Sequence, residues 1–165
     1  MDALFNVIPE QTFWGILLFI HFLMSVALLA AVTLQAVAVL MPARQVAGNF
    51  IDRSPVPAAS YAAIIVPLYL AQFLLGAIIY LKYRLYVRIP MEQFRHWWTL
   101  GGFEFKEHIL AMGLGLLPAY WYFWQQPQSS EHAILRKWVT IFLVVSVWYG
   151  FISGHIANDF RGIGS

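Results

Sequence analysis

Four long stretches of this chain contain no charged side chain. No Asp, Glu, Lys or Arg occurs between Glu10 and Arg44, between Arg53 and Lys82, between Glu107 and Glu131, or between Lys137 and Asp159. A charge at the centre of a membrane helix costs about 2.5–3.5 kcal/mol on insertion scales, so such runs mark segments able to sit in hydrocarbon. Crossing about 30 Å at 1.5 Å per residue takes roughly 20 residues, and every gap is longer. We read four transmembrane helices, at about 13–41, 58–82, 103–124 and 136–158. The expected fold class is all-α: an integral membrane, up-and-down four-helix bundle, with residues 1–165 forming one domain.

Composition closes off the other classes. The chain is 61% hydrophobic and 11% charged, against about 45–50% and about 25% in soluble domains. A disordered chain would be charged and poor in aromatics. The net charge is only +2, with no dense basic cluster, so no nucleic-acid partner is expected. Cys is absent, which removes disulfides, thiolate zinc sites, iron–sulfur clusters and covalent haem attachment. The apolar runs are continuous, whereas strands of a membrane barrel alternate over about ten residues. Met1-Asp2-Ala3 lacks the basic start of a signal peptide, so no cleaved leader is expected.

Local punctuation agrees. Pro42 follows helix 1, and Ser54-Pro55-Val56-Pro57 precedes helix 2. Ile89-Pro90 is expected to end the extension after helix 2. Gly101-Gly102 is expected to precede helix 3, and Gln125-Gln126-Pro127 to close it. Pro67 and Pro118 lie inside helices 2 and 3. Four crossings place both termini and the loop between helices 2 and 3 on one side, here called side A. Side A carries Lys82, Arg84, Arg88, Arg95, Lys106 and Arg161, against Arg44, Arg53, Arg136 and Lys137 on side B. The positive-inside rule then makes side A cytoplasmic, with a bacterial inner membrane as the expected location. Met91 to Trp98 reads as an amphipathic segment lying in the interface.

The histidines carry the functional signal. His132 falls in a side B loop. The other four lie toward side A: His21 early in helix 1, His96 in the loop, His108 opening helix 3 and His155 closing helix 4. His21 stands in the apolar run 16–23, and an ionisable group inside a membrane faces the bundle interior and marks function by default. Glu104 and His108 are four apart on one helix face, as are His155 and Asp159. Ser25 shares the face of His21. Ser146, Gly150 and Gly154 form a small-residue stripe that lets another helix approach.

Two chemistries fit this layer. A b-type haem needs one or two axial imidazoles, and bundles hold cofactors between facing helices. His21 and His108 form the leading pair, with His155 third. Lys82, Arg84, Arg88, Arg95 and Arg161 are candidates for the propionates. A non-haem iron, copper or zinc ion is the alternative, with His21, His108, His155, Glu104 and Asp159 as its candidate set. Either carboxylate could instead accept the second imidazole N–H of a ligand.

Each group also has a plain structural reading. His21 could make an interhelical hydrogen bond, His108 and His155 could be interfacial, and Glu104, Lys106, Glu107 and Asp159 could be headgroup-level charges. Gln35 and Gln72 are expected to join helices, and Gly113-Leu114-Gly115 with Pro118 to serve packing. Trp14, Trp97, Trp98, Trp121, Trp124 and Trp138 fall near helix ends, as interfacial anchors do.

The stretch Ile20-His21-Phe22-Leu23-Met24-Ser25-Val26-Ala27, and later Phe105-Lys106-Glu107-His108-Ile109-Leu110, resembles helices 1 and 3 of a group of small bacterial membrane proteins. That group includes the HemJ-type protoporphyrinogen oxidases and the CopD-like copper-resistance proteins. The resemblance covers about 50 residues. It implies that His21 and His108 are haem or metal ligands, that Lys106 is functional, and that a b-type haem is bound. The expected role is one-electron transfer to or from a quinone or a partner redox subunit. The bilayer and such a subunit, or further copies of the chain, are the expected partners. A cofactor-free subunit of a membrane complex is the remaining alternative.

Overall fold

A computed structural model describes residues 9–40, 58–126 and 131–162, nearly all of them helical or in short turns. The long helices are α1 (Glu10–Leu40), α2 (Ala58–Tyr83), α4 (Trp97–Gln125) and α5 (Ala133–Gly162). A π-helical turn, Arg84–Arg88, and a short helix, α3 (Ile89–Gln93), continue α2. The expected stop at Ile89-Pro90 is not taken. Pro90 sits in the first turn of α3, directly after the π-helical turn. The chain reverses just beyond, where Arg95 takes a positive φ of 60°.

Each long helix packs against two neighbours, in the ring α1–α2–α4–α5. Side-chain pairs fix the directions. Gln35 near the end of α1 donates to the Ala58 carbonyl that opens α2, at 3.0 Å. Tyr83 near the end of α2 stacks on Phe103 early in α4. Trp124 late in α4 donates to Thr140 early in α5, at 3.2 Å. Trp148 of α5 donates to Thr33 of α1, at 3.1 Å. Neighbours are therefore antiparallel around the ring. The loop residues 41–57, with Arg44 and Arg53, and the side chain of Arg161 lie outside the described residues.

Three helical stretches are long and apolar enough to cross a membrane: Glu10–Leu40, Ala58–Gln93 and Ala133–Asp159. The expected fourth span, α4, has the length, with 29 residues, but falls short in apolarity. Its first turns carry Glu104, Lys106 and Glu107, and its last hold Tyr120, Trp121, Tyr122 and Trp124. Gly101-Gly102 lies within α4 rather than ahead of it, and Tyr149 donates to the Gly102 carbonyl at 2.9 Å.

The interior is packed in two separate blocks. The larger includes Leu28, Val32, Ile65, Leu117, Tyr120 and Leu143, toward side B. Gln35 crosses it, accepting a hydrogen bond from Tyr120 at 2.6 Å. A small block of Tyr83, Met91, Phe103 and Ala157 closes the side A end. Between the blocks the bundle is open.

Candidate functional site

That opening is a cavity of about 460 Å³, inside the range of about 300–1,000 Å³ usual for small-molecule sites. All four long helices line it. Small residues create part of the space. Gly15 and Gly154 both line it, and a Cβ on either would meet no described atom within 4 Å. Gly154 belongs to the stripe expected to seat a helix. Its neighbour Gly150 instead faces the Leu110 side chain, which would stand 3.0 Å from a Cβ there.

His21 is the polar centre of the α1–α2 wall. The Gln72 amide reaches it from α2, with Nε2 of the amide 3.2 Å from Nε2 of the ring. The same amide nitrogen donates to the His21 carbonyl at 3.1 Å and to Ser25 Oγ. Ser25 in turn donates to the His21 carbonyl at 2.7 Å. Gln72 thus joins two helices, as expected, and also holds the ring. The His21 carbonyl can only accept, so the nitrogen end of the amide faces the ring, and Nε2 is the ring's acceptor. Nδ1, the nitrogen that then carries the ring proton, is the atom left over. It is buried and has no hydrogen-bond partner among the described residues. A buried polar atom with no partner costs about 1–3 kcal/mol, so it calls for an explanation.

The opposite wall carries charge. Lys106 lies over the Phe103 ring, with Nζ 3.6 Å from its centroid, and pairs with Glu107 at 2.8 Å. Both line the cavity. Lys82 lines it near the α1 start, where it pairs with Glu10. His155 lines the α5 side, edge-on to Phe151 and Phe22 with ring centroids 4.6 and 5.6 Å away.

The other sequence candidates lie elsewhere. His108 is exposed on the outer face of α4. Its Nδ1 is 2.7 Å from the Glu104 carbonyl one turn back, so that nitrogen carries the proton and donates. Glu104 faces Arg88 at 3.3 Å. Arg88 also holds Glu92 at 2.8 Å, and Arg84, Arg95 and Asp159 are exposed. None of Arg84, Arg88, Arg95, Glu104, His108 and Asp159 is among the described residues that line the cavity. Among the described residues, no group of three or more His, Cys, Asp or Glu side chains comes together as a metal-ligand set. His132 packs on Phe123 and Tyr122 at the far end.

The sequence reading thus named His21, His155, Lys82 and Lys106 among the residues that line the cavity and passed over Glu107 and Gly76 as site residues. Glu107 had a signal, since it directly follows Lys106. Gly76 had none. Comparison with protein-family models, with curated proteins and with solved structures finds no match to this chain.

Proposed function

We propose that this chain is an integral membrane protein that holds a b-type haem in the side A cavity. It would pass single electrons to or from a quinone or a partner redox subunit. The observation that carries the reading is that His21 lines a cavity of ligand size and has a buried Nδ1 with no hydrogen-bond partner among the described residues. The donor set fits. His21 would be the iron ligand through Nδ1. Ligation through Nδ1 would move the ring proton to Nε2. The Gln72 amide would turn its oxygen there to accept it, as partners of ligating histidines commonly do, giving up its bond to the His21 carbonyl. Phe22, Phe73 and Phe151 supply apolar walls, and His155 stands at the rim. A bound haem supplies a one-electron couple whose potential depends on its ligands and on burial. The resemblance of the His21 and Lys106 segments to haem-linked membrane proteins supports the same reading. So does the apolar length of three helices, which suits a bilayer. The lysines and arginines of side A favour a cytoplasmic placement of that end in a bacterial inner membrane.

The test is an absorption spectrum of the detergent-purified protein from haem-replete cells, oxidised and then dithionite-reduced, with metal analysis of the same sample. A Soret band and a reduced b-type α band are expected, both lost in His21→Ala. Absence of a Soret band overturns the proposal. Stoichiometric iron, copper or zinc without a porphyrin spectrum would establish the non-haem reading. Neither haem nor metal would leave a packing subunit.

A further inference from the structure

The exposed rim of the cavity lies on one side of the bundle. Among the described residues that line it, Gly15, Phe19, Phe22, Tyr86, His155 and Asn158 are exposed. They belong to α1, to α5 and to the π-helical turn, whereas the lining residues of α2 and α4 are buried or half-buried. The mouth therefore lies between α1 and α5. Gly15 on one helix and Gly154 on the other widen it, since a Cβ on either would meet no described atom within 4 Å. At its inner end the two helices meet through rings, with Phe22 6.4 Å from Phe151 and 5.6 Å from His155.

Depth decides what can use this mouth. The ion pair of Glu10 and Lys82 marks the headgroup level on α1. Phe19 and Phe22 lie about 13 and about 18 Å further along, at 1.5 Å per residue. A headgroup layer takes about 5–8 Å on each side of a bilayer, so both rings face hydrocarbon. They are 61% and 40% exposed. Contact with Phe22 brings His155 to the same depth. A molecule dissolved in water does not meet such an opening, and one dissolved in the bilayer does.

The chemistry of the mouth narrows the class. Its exposed residues carry no carboxylate or ammonium. At the depth of Phe22 its polar group is the His155 imidazole, and a neutral imidazole has one N–H to donate in either tautomer. Lys106 and Glu107 stand on the opposite wall and pair with each other. These features suit an uncharged, flat, carbonyl-bearing ring with an apolar tail.

We propose that the mouth between α1 and α5 docks a membrane-dissolved quinone. Its ring lies against Phe22 and His155, whose N–H donates to a ring carbonyl, and its tail leaves past Phe19 into lipid. This rests on the quinone partner named in the reading above and gives it a place of contact.

The test titrates the full-length protein in detergent with decylubiquinone, followed by calorimetry, and records the absorption spectrum and thermal melting of the same samples. Gly154→Phe and Gly15→Phe fill open space, so each should melt like the unsubstituted protein. Their quinone affinity should fall about tenfold or more, because the new ring takes the place of the ligand. Gly115→Phe makes the same change on an exposed part of α4, away from the cavity and again in open space, and should bind normally. His155→Leu should weaken binding about fivefold, the scale of one neutral hydrogen bond. Gly15→Phe decides the matter if Gly154→Phe fails to fold. Equal affinity in all three glycine variants overturns the mouth, as does absence of binding to the unsubstituted protein. The Soret band separates the two readings. Haem without quinone binding overturns the mouth and leaves the haem site intact. Quinone binding lost in Gly154→Phe, in a protein without haem, supports the mouth and overturns the haem reading.

Discussion

Gly76 of α2 lies directly against the imidazole of His21 on α1: a Cβ at position 76 would stand 3.2 Å from His21 Cε1. The missing side chain is what lets the ring sit between the two helices. In a helix interior, Gly→Ala normally gains about 1 kcal/mol of propensity, which offsets modest crowding. Gly76→Ala should therefore melt within a few degrees of the unsubstituted protein and yet show a shifted or weakened His21-dependent spectrum. Gly76→Leu should abolish that spectrum. Absorption and thermal melting of the same samples check this, and a normal spectrum in Gly76→Leu would disprove the assigned role.

The histidines separate by placement. His21 lines the cavity, whereas His108 is exposed and bonds its own helix. His21→Ala should eliminate haem binding, and His108→Ala should leave haem content and the spectrum unchanged. His155→Ala, at the rim, should alter the spectrum without removing the pigment. Pyridine haemochrome assays of the three variants are sufficient. Loss of haem in His108→Ala as well as in His21→Ala would return the ligand pair to the one expected from sequence.

Gly113 is a packing residue of the large block. A Cβ there would fall 2.2 Å from the Tyr69 hydroxyl, which donates to the Leu110 carbonyl at 2.8 Å. Gly113→Ala should cost about 1–3 kcal/mol through overpacking, despite the better helix propensity. Tyr69→Phe removes the clashing oxygen and should return part of that loss. A double-mutant cycle on thermal or denaturant unfolding checks it. Simple additivity of the two changes would count against the contact.

Helix α4 should cross the bilayer although, unlike the other three long helices, it falls short of the apolarity expected of a span. Its charged first turns face the cavity at Lys106 and Glu107 rather than lipid, so the cost of insertion is lowered by the bundle. Single cysteines placed at Gln93 and Gln126 in this cysteine-free chain should label from opposite faces of sealed vesicles. Labelling of both from one face would remove α4 from the membrane and break the up-and-down arrangement.

Much of the architecture was legible because charge is so costly in hydrocarbon. The gaps between charged residues outlined α1, α2 and α5 to within a few residues, and Gln35 and Gln72 read correctly as groups that join helices. Gly101-Gly102 and Ile89-Pro90 misled, since each lies in a helix rather than ending one. Local breaker signals lost there to tertiary contacts. The Tyr149 bond to Gly102 and the burial of Met91, at 3% exposed, hold the chain helical.

The candidate site divides in the same way. Its level in the bundle followed from sequence, since antiparallel helices bring residues far apart in the chain to one depth. Which side chains at that level meet did not. Rotation of a helix by one residue, about 100°, decides between cavity and exterior, and the weak amphipathicity of an apolar helix leaves that angle unspecified. Packing alone turned Lys106 and Glu107 inward and His108 outward on the same helix. The sequence by itself determined that this chain forms long apolar helices with polar groups gathered toward one end. Only the tertiary structure decided that His21, Gln72 and Tyr83 share one cavity there, because rotational register is fixed by contacts between helices and not by any helix alone.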